Sequence, residues 1–311
     1  MNARISNVIF TRNRPLQLEG YLESLFRHLP QRLLKVYIIY KVDLFDEQYS
    51  SVFKKYPDCI VLRERDFHDD FVKLFEAIDT EYVLFATDDV VYFDSVDFGI
   101  IEQTFSMCSD IFGFTFKFGP ETFSNGNVPF TELRIDNQIT YKLNWKNAKD
   151  QHARYPFELN STIYRTSLVQ TILSHIAKEH PTLQRILVKD SLIVRFLSLV
   201  TSTKHLLLAV NTFCDPNTLE GYSYRWCRKH KRRVPSYLYF QKLCATTLQV
   251  NRVNTSVPNP VYGTDEHSVE FLNERYKQGY RLDIEAIARN KPDSLRVGCE
   301  FFRLKRQGQS G

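Results

Sequence analysis

An α/β architecture, with a mixed and mostly parallel sheet flanked by helices, is the fold class that this chain predicts. Three features predict it. The first ninety residues alternate strand-like and helix-like patterns. The strand-like runs are short, apolar on both faces and rich in β-branched and aromatic residues, as strands covered by helices on both sides must be. The chain has 311 residues, 43% of them hydrophobic, with only 11 Gly and 12 Pro, so it can bury a large core and shows no disordered or repetitive composition.

The elements follow in order. Ser6 to Thr11 is the first apolar strand, and Asn13-Arg14-Pro15 starts a helix, because proline suits the first helical position. Leu18, Leu22, Leu25 and Leu29 recur at helical spacing and form one buried face. KVYIIYKV (35–42) is the second strand, Asp46 to Lys55 a short polar helix, and CIVLRER (59–65) the third strand. Phe71, Leu74, Phe75 and Ile78 mark the next helix, and EYVLFATDDVVYF (81–93) is the fourth strand. Beyond residue 95 the pattern is mixed. It predicts a helix near Val96 to Cys108, strands at DIFGFTFKFG (110–119) and ITYKLNW (139–145), and a strand feeding a helix at 155–173. A second apolar helix is expected at Leu183 to Val200, and a strand at KHLLLAVNTF (204–213). Asp215-Pro216 reads as a helix cap followed by a first-turn proline. VEFLNERYKQ (269–278) is a helix stopped by Gly279, and RLKRQGQSG (303–311) a polar tail. The organisation expected is a core over residues 1–215 and a C-terminal helical part over 216–311 that completes the active site.

The most informative residues are Asp88 and Asp89, adjacent carboxylates interrupting an apolar strand. Two such charges about 5 Å apart repel by roughly 3 kcal/mol at an effective dielectric near 20, so the pair calls for a cation. Mg²⁺ or Mn²⁺ fits that demand, since these ions take oxygen ligands and leave room for phosphate. In parallel sheets ligands bind at the carboxyl ends of strands, where both Thr11 to Arg14 and Asp88-Asp89 lie. Arg12 and Arg14 could reach a diphosphate there, with Thr11 and Asn13 lining the same pocket.

Taken with the alternating half and the TRNRP turn, Thr87-Asp88-Asp89 resembles the DxD-type end of the fourth strand in glycosyltransferases of the GT-A fold. The resemblance is closest to family 2-like bacterial polysaccharide enzymes, although the first acidic position is Thr87. It implies Asp89 as ligand to a divalent cation, Asp88 at the donor ribose or supporting the metal, and Asp66 as a donor contact. Tyr40 and Lys41 depart from the acidic residues that relatives carry after the second strand. Two segments compete to supply the base that activates the acceptor. Asp215-Pro-Asn-Thr-Leu-Glu220 resembles a PNxLE element and nominates Glu220; Val188 to Arg195 loosely matches an ED-x-x-L-x-x-R helix and nominates Asp190. Glu158, Asn160 and Ser161 are implied on the strand facing the acceptor sugar. Val250 to Val253, Leu272 to Tyr276 and Gly279 to Asp283 extend the resemblance toward the C-terminus.

The implied activity is metal-assisted, inverting transfer of a sugar from a UDP- or GDP-type donor to a glycan or lipid-linked glycan. A sugar-nucleotide nucleotidyltransferase is the alternative, but TRNRP lacks the glycine-rich loop such enzymes need. A nucleic-acid or membrane adaptor using RWCRKHKRR (225–233) is a third reading, and it leaves the aspartates unexplained, so nucleic acid is not expected as a partner. The same basic stretch could touch a membrane face peripherally. No signal-peptide or membrane-spanning run is present in this sequence, so a cytoplasmic location is expected. The six cysteines show no CxxC spacing and read as mostly buried thiols.

Overall fold

The computed structural model describes residues 3–119, 122, 130–135, 137–179, 213–254 and 260–308. Strand β1 (Ile5–Arg12) leads into α1 (Pro15–His28), β2 (Leu34–Lys41), α2 (Asp46–Lys55), β3 (Ile60–Arg63), α3 (Phe67–Glu76) and β4 (Tyr82–Thr87). There follow β5 (Val90–Tyr92), α4 (Phe98–Met107), β6 (Ile111–Thr115), β7 (Phe130–Ile135), β8 (Gln138–Leu143), β9 (Thr162–Arg165) and α5 (Thr166–Glu179). The C-terminal part carries α6 (Pro216–Lys229), β10 (Ser236–Phe240), β11 (Ala245–Leu248), α7 (Val269–Lys277), β12 (Tyr280–Leu282), α8 (Ile284–Asn290), β13 (Arg296–Val297) and β14 (Leu304–Arg306).

Among the described residues nine strands form the main sheet in the order β3-β2-β1-β4-β9-β6-β10-β8-β7, and of these β9 and β8 run against the rest. Alternation along β1 builds a core on each face. Ile5 and Ile9 join one core with Leu18, Leu22 and Leu25 of α1 and Ile101 and Phe105 of α4. Val8 and Phe10 join the other, with Phe67, Phe71 and Phe75 of α3 and Leu219, Tyr222 and Trp226 of α6. The leucine face of α1 is buried as its spacing requires, each side chain contributing about 1.5–3 kcal/mol.

The expected fourth strand divides. β4 stays in the main sheet, whereas β5 leaves it for a second sheet, β13-β11-β5, so that Asp88 and Asp89 form the turn between two sheets. The Asp88 amide still donates to Phe10 O at 3.2 Å, while the Leu248 amide donates to Asp89 O at 2.8 Å. β10 lies inside the main sheet between β6 and β8, and β11 pairs with β5, so the segment beyond 215 contributes strands as well as helices. Part of the expected polar tail is strand β14, paired with β12. The helix expected at Leu183 to Val200 and residues 204–212 of the expected strand lie outside the described residues. Of the six cysteines, Cys227 and Cys244 are buried and Cys214 is exposed, fewer buried thiols than composition suggested.

Candidate functional site

The loop from β1 to α1 aims a cation at the acidic turn. Asn13 takes a left-handed backbone (φ 54°), a conformation Asn tolerates better than most residues. Pro15 then starts α1, with Arg14 at the cap position making no side-chain cap bond. Its side chain is turned instead onto the carboxylates. The Arg14 guanidinium pairs with Asp88 Oδ1, donates from Nε to Asp88 Oδ2 at 3.2 Å, and donates from Nη1 to Asp89 Oδ2 at 3.2 Å. Thr11 Oγ1 donates to Asp88 Oδ2 at 2.6 Å, and Thr87 Oγ1 donates to Asp89 Oδ1 at 2.6 Å.

Around this trio, Tyr49 Oη lies 2.6 Å from Thr11 Oγ1 and accepts the Arg14 amide at 3.0 Å. Asn251, just past β11, accepts from Arg14 Nη1 and Gln17 Nε2, both at 3.4 Å. The cluster is nearly sealed, with Asp88 1% and Arg14 7% exposed. Burial pushes the Asp88 carboxyl up to about 6; Arg14 opposes the rise and the Asp89 charge adds to it. Burial works against the Arg14 charge, and the two carboxylates more than reverse that, holding it firmly protonated.

The adjacent carboxylates call for a cation, expected to be a metal; the cation that the structure supplies is Arg14. At contact distance one guanidinium offsets about 4 kcal/mol per carboxylate at an effective dielectric of 20, more than the roughly 3 kcal/mol of repulsion within the pair. All four carboxylate oxygens already have a protein partner, and the described residues hold no cluster of three or more His, Cys, Asp or Glu arranged for a metal. This donor set does not fit a resident Mg²⁺ or Mn²⁺ while Arg14 occupies it, because the dication would sit against the like charge of the buried guanidinium.

The other donor-side residues separate from this trio. Arg12 pairs with Asp43 at 3.3 Å, and Asn13 exchanges two 2.9 Å bonds with Asp43, tying the ends of β1 and β2 together. Asp43 is thus an acidic residue near the end of the second strand, where the sequence reading saw only Tyr40 and Lys41. Its signal was the Val-Asp step just past the strand. Asp66 caps α3, accepting the Asp69 amide at 3.0 Å, and so serves the helix start and not the trio.

A second cluster occupies the strand ends at β6 and β9. Glu158 accepts from Thr162 Oγ1 at 2.8 Å, Thr115 Oγ1 at 3.2 Å and Lys117 Nζ at 3.5 Å, beside a small cavity bordered by Tyr155 and Tyr237. Lys117 is only 2% exposed, a buried charge whose place in DIFGFTFKFG was the missed signal. The predicted cap of α6 is present: Asp215 accepts the Thr218 amide at 2.7 Å in a capping box. One turn on, Glu220 accepts from Tyr155 Oη at 3.0 Å and from the Leu159 amide at 2.8 Å. Burial raises the Glu220 carboxyl; the Leu159 amide opposes that, and the Glu158 charge adds to it.

Asn160 Nδ2 donates to Thr247 Oγ1 at 3.0 Å, and Thr247 pairs with Val90, the residue after Asp89. Asn160 therefore links the two clusters. Ser161 is fully buried with φ 61°, and its backbone joins Phe85 of β4 to Phe116 beyond β6. Asp190 lies outside the described residues.

No known family model matches the chain. The chain is similar to a curated protein, the bifunctional glycosyltransferase pgtA of Dictyostelium discoideum, at 27% identity over 196 residues. That stretch is 55% of this chain and 25% of the relative, so the chain spans about a quarter of the curated relative it matches. The resemblance to glycosyltransferases carried by the motifs is thus met in a relative compared along its sequence. Among solved structures, S. aureus TarS overlaps 55% of this chain and 30% of its own at 15% identity and a TM-score of 0.38. A Pyrobaculum calidifontis mannosyltransferase, PcManGT, solved with GDP-Man and Mn²⁺, overlaps 55% of this chain and 47% of its own at 11% identity and a TM-score of 0.37. These two overlaps are too loose to carry an argument.

The basic stretch caps the end of α6. Arg225, Arg228, Lys229, Lys231, Arg232 and Arg233 are exposed, while Trp226 is buried against His230, ring centres 4.5 Å apart. No helix among the described residues is long and apolar enough to cross a membrane.

Proposed function

We propose that the chain is a glycosyltransferase domain that binds a nucleoside-diphosphate sugar at the carboxyl ends of β1, β2 and β4 and transfers the sugar, with inversion, to a glycan hydroxyl. The observation that carries this reading is the convergence of the TRNRP turn and the Thr87-Asp88-Asp89 turn, far apart in sequence, on one buried charged cluster at those strand ends. The curated relative's description as a glycosyltransferase supports it. Arg14 meets the diphosphate with a planar, fixed charge, and Asp88 and Asp89 hold that charge in place. Asp43, Arg12 and Asn13 form the rim at the end of β2, on the nucleoside side. The segment after 215 reaches the site through Asn251.

Glu158 and Asn160 hold acceptor hydroxyls, and Glu220 takes the proton as the acceptor attacks. Each Glu220 oxygen accepts one hydrogen bond and keeps a second lone pair, and a carboxyl raised by burial is a better base at neutral pH. The exposed cations at the end of α6 suit a lipid-linked acceptor at a membrane face, each contributing about 1 kcal/mol near an anionic surface.

A thermal-shift screen of nucleoside diphosphates and their sugars tests the donor site, because a ligand that binds only the folded chain raises its Tm. At least one UDP- or GDP-type ligand should raise it, and Asp89→Ala should remove the rise; a screen with no response would sink the reading. Glu220→Gln should bind donor as the native chain does and lose roughly 10²- to 10⁴-fold in transfer.

A further inference from the structure

We propose that Arg14 is the resident counter-ion of the Asp88-Asp89 turn, and that its guanidinium and a divalent cation exclude one another there. The geometry is that of an occupied site. Two nitrogens of Arg14 face the two oxygens of Asp88 as a fork, and a third reaches Asp89 Oδ2 at 3.2 Å and Asn251 Oδ1 at 3.4 Å. Thr11 adds a second bond to Asp88 Oδ2, and Thr87 takes the one remaining oxygen, Asp89 Oδ1, each at 2.6 Å.

A dication entering this turn must displace Arg14 or sit against its like charge in a nearly water-free cluster. Displacement is opposed from several sides. The Arg14 amide is held by Tyr49, and its head by Asn251, whose Nδ2 donates to His267 O at 2.8 Å and so anchors it to the C-terminal part. Folding of the C-terminal part over the strand ends therefore locks the guanidinium in. The consequence for a donor is that its diphosphate is met by Arg14, whereas a free metal ion must displace Arg14 to reach the carboxylates.

The proposal rests on the donor-site reading only for that last consequence, and its test uses Mn²⁺ alone on the full chain without sugar nucleotide. Free Mn²⁺ is followed by electron paramagnetic resonance during titration of the native chain, Arg14→Gln, Arg14→Lys and the double variant Arg14→Gln/Asp89→Asn. The native chain should leave Mn²⁺ free, Arg14→Gln should bind one Mn²⁺ at least tenfold more tightly, and the double variant should lose that gain. Arg14→Lys keeps one charge without the fork and should gain about threefold; it decides the matter if the glutamine variant does not fold. One tightly held Mn²⁺ on the native chain, or no gain in a folded Arg14 variant, overturns the proposal. A failed sugar-nucleotide screen alongside the expected Mn²⁺ pattern would remove the donor reading and leave the counter-ion assignment standing.

Discussion

Asp88 and Glu19 are both nearly sealed from solvent, yet their surroundings treat their charge in opposite ways. Glu19, on α1, is 2% exposed and has two cations and a phenol around it. Lys55 Nζ lies at 2.7 Å, Arg281 Nε at 2.9 Å, and Tyr276 Oη donates at 2.6 Å. Burial alone would raise this carboxyl, but Lys55, Tyr276 and Arg281 outweigh it and hold the group below its ordinary value. Asp88 shares one guanidinium with a second carboxylate, and its carboxyl is pushed up. One site is compensated and joins α1 to α2, α7 and β12. The other carries a surplus of negative charge at a strand-end turn, an arrangement that costs stability and suits a group that must engage a ligand.

That contrast can be broken by exchanging what each variant should lose. The largest effect is expected from Arg14→Met, which leaves two buried carboxylates without their cation. Loss of one partner of a buried pair costs about 3–5 kcal/mol, readable in urea unfolding, and donor binding should vanish with it. Asp88→Asn separates the two properties. Arg14 then faces a single carboxylate, so stability should stay within about 1 kcal/mol of the native chain while donor affinity falls at least tenfold by calorimetry. A large loss of stability in Asp88→Asn would make the turn a structural site like Glu19.

Glu19→Gln should show the reverse, a loss of about 2–3 kcal/mol with donor affinity unchanged, measured by the same two methods. Its pH dependence follows in sign. Because the folded Glu19 carboxyl lies below its unfolded value of about 4.5, its stabilisation is fully present above that pH. It is lost as pH falls through the folded value, so native and Glu19→Gln melting curves should converge on acidification. A gap that persists at pH 2 would show that packing rather than charge explains the Glu19 effect. The smallest change is expected at the exposed rim, where Asp43→Asn should cost within about 1 kcal/mol, since surface ion pairs contribute little.

The two sites also show what was legible in the sequence. The elements from β1 to β4, then α4, and the Asp215 cap announce themselves through period, proline position and capping residues, all of them local. Thr11, Arg14, Asp88 and Asp89 were legible as strand-end residues for the same reason. That Arg14 would be their counter-ion was not, because the pairing spans 74 residues and leaves no periodic trace. Tyr49 and Lys117 were missed likewise, each a lone polar group whose meaning comes from a distant partner, and Asn251 was legible only as part of the stretch Val250 to Val253. β5 was merged with β4 since the apolar run resumes after the aspartates, and nothing in its pattern tells which sheet it joins. β12, β13 and β14 have two or three residues each, too few to show alternation.

The most direct test is a crystal structure of the chain with a nucleoside-diphosphate sugar. The diphosphate should lie within about 3 Å of the Arg14 guanidinium, with the nucleoside toward Asp43 and the sugar toward Glu158 and Glu220. A ligand bound elsewhere, with Arg14 still closed on Asp88 and Asp89, would contradict the account.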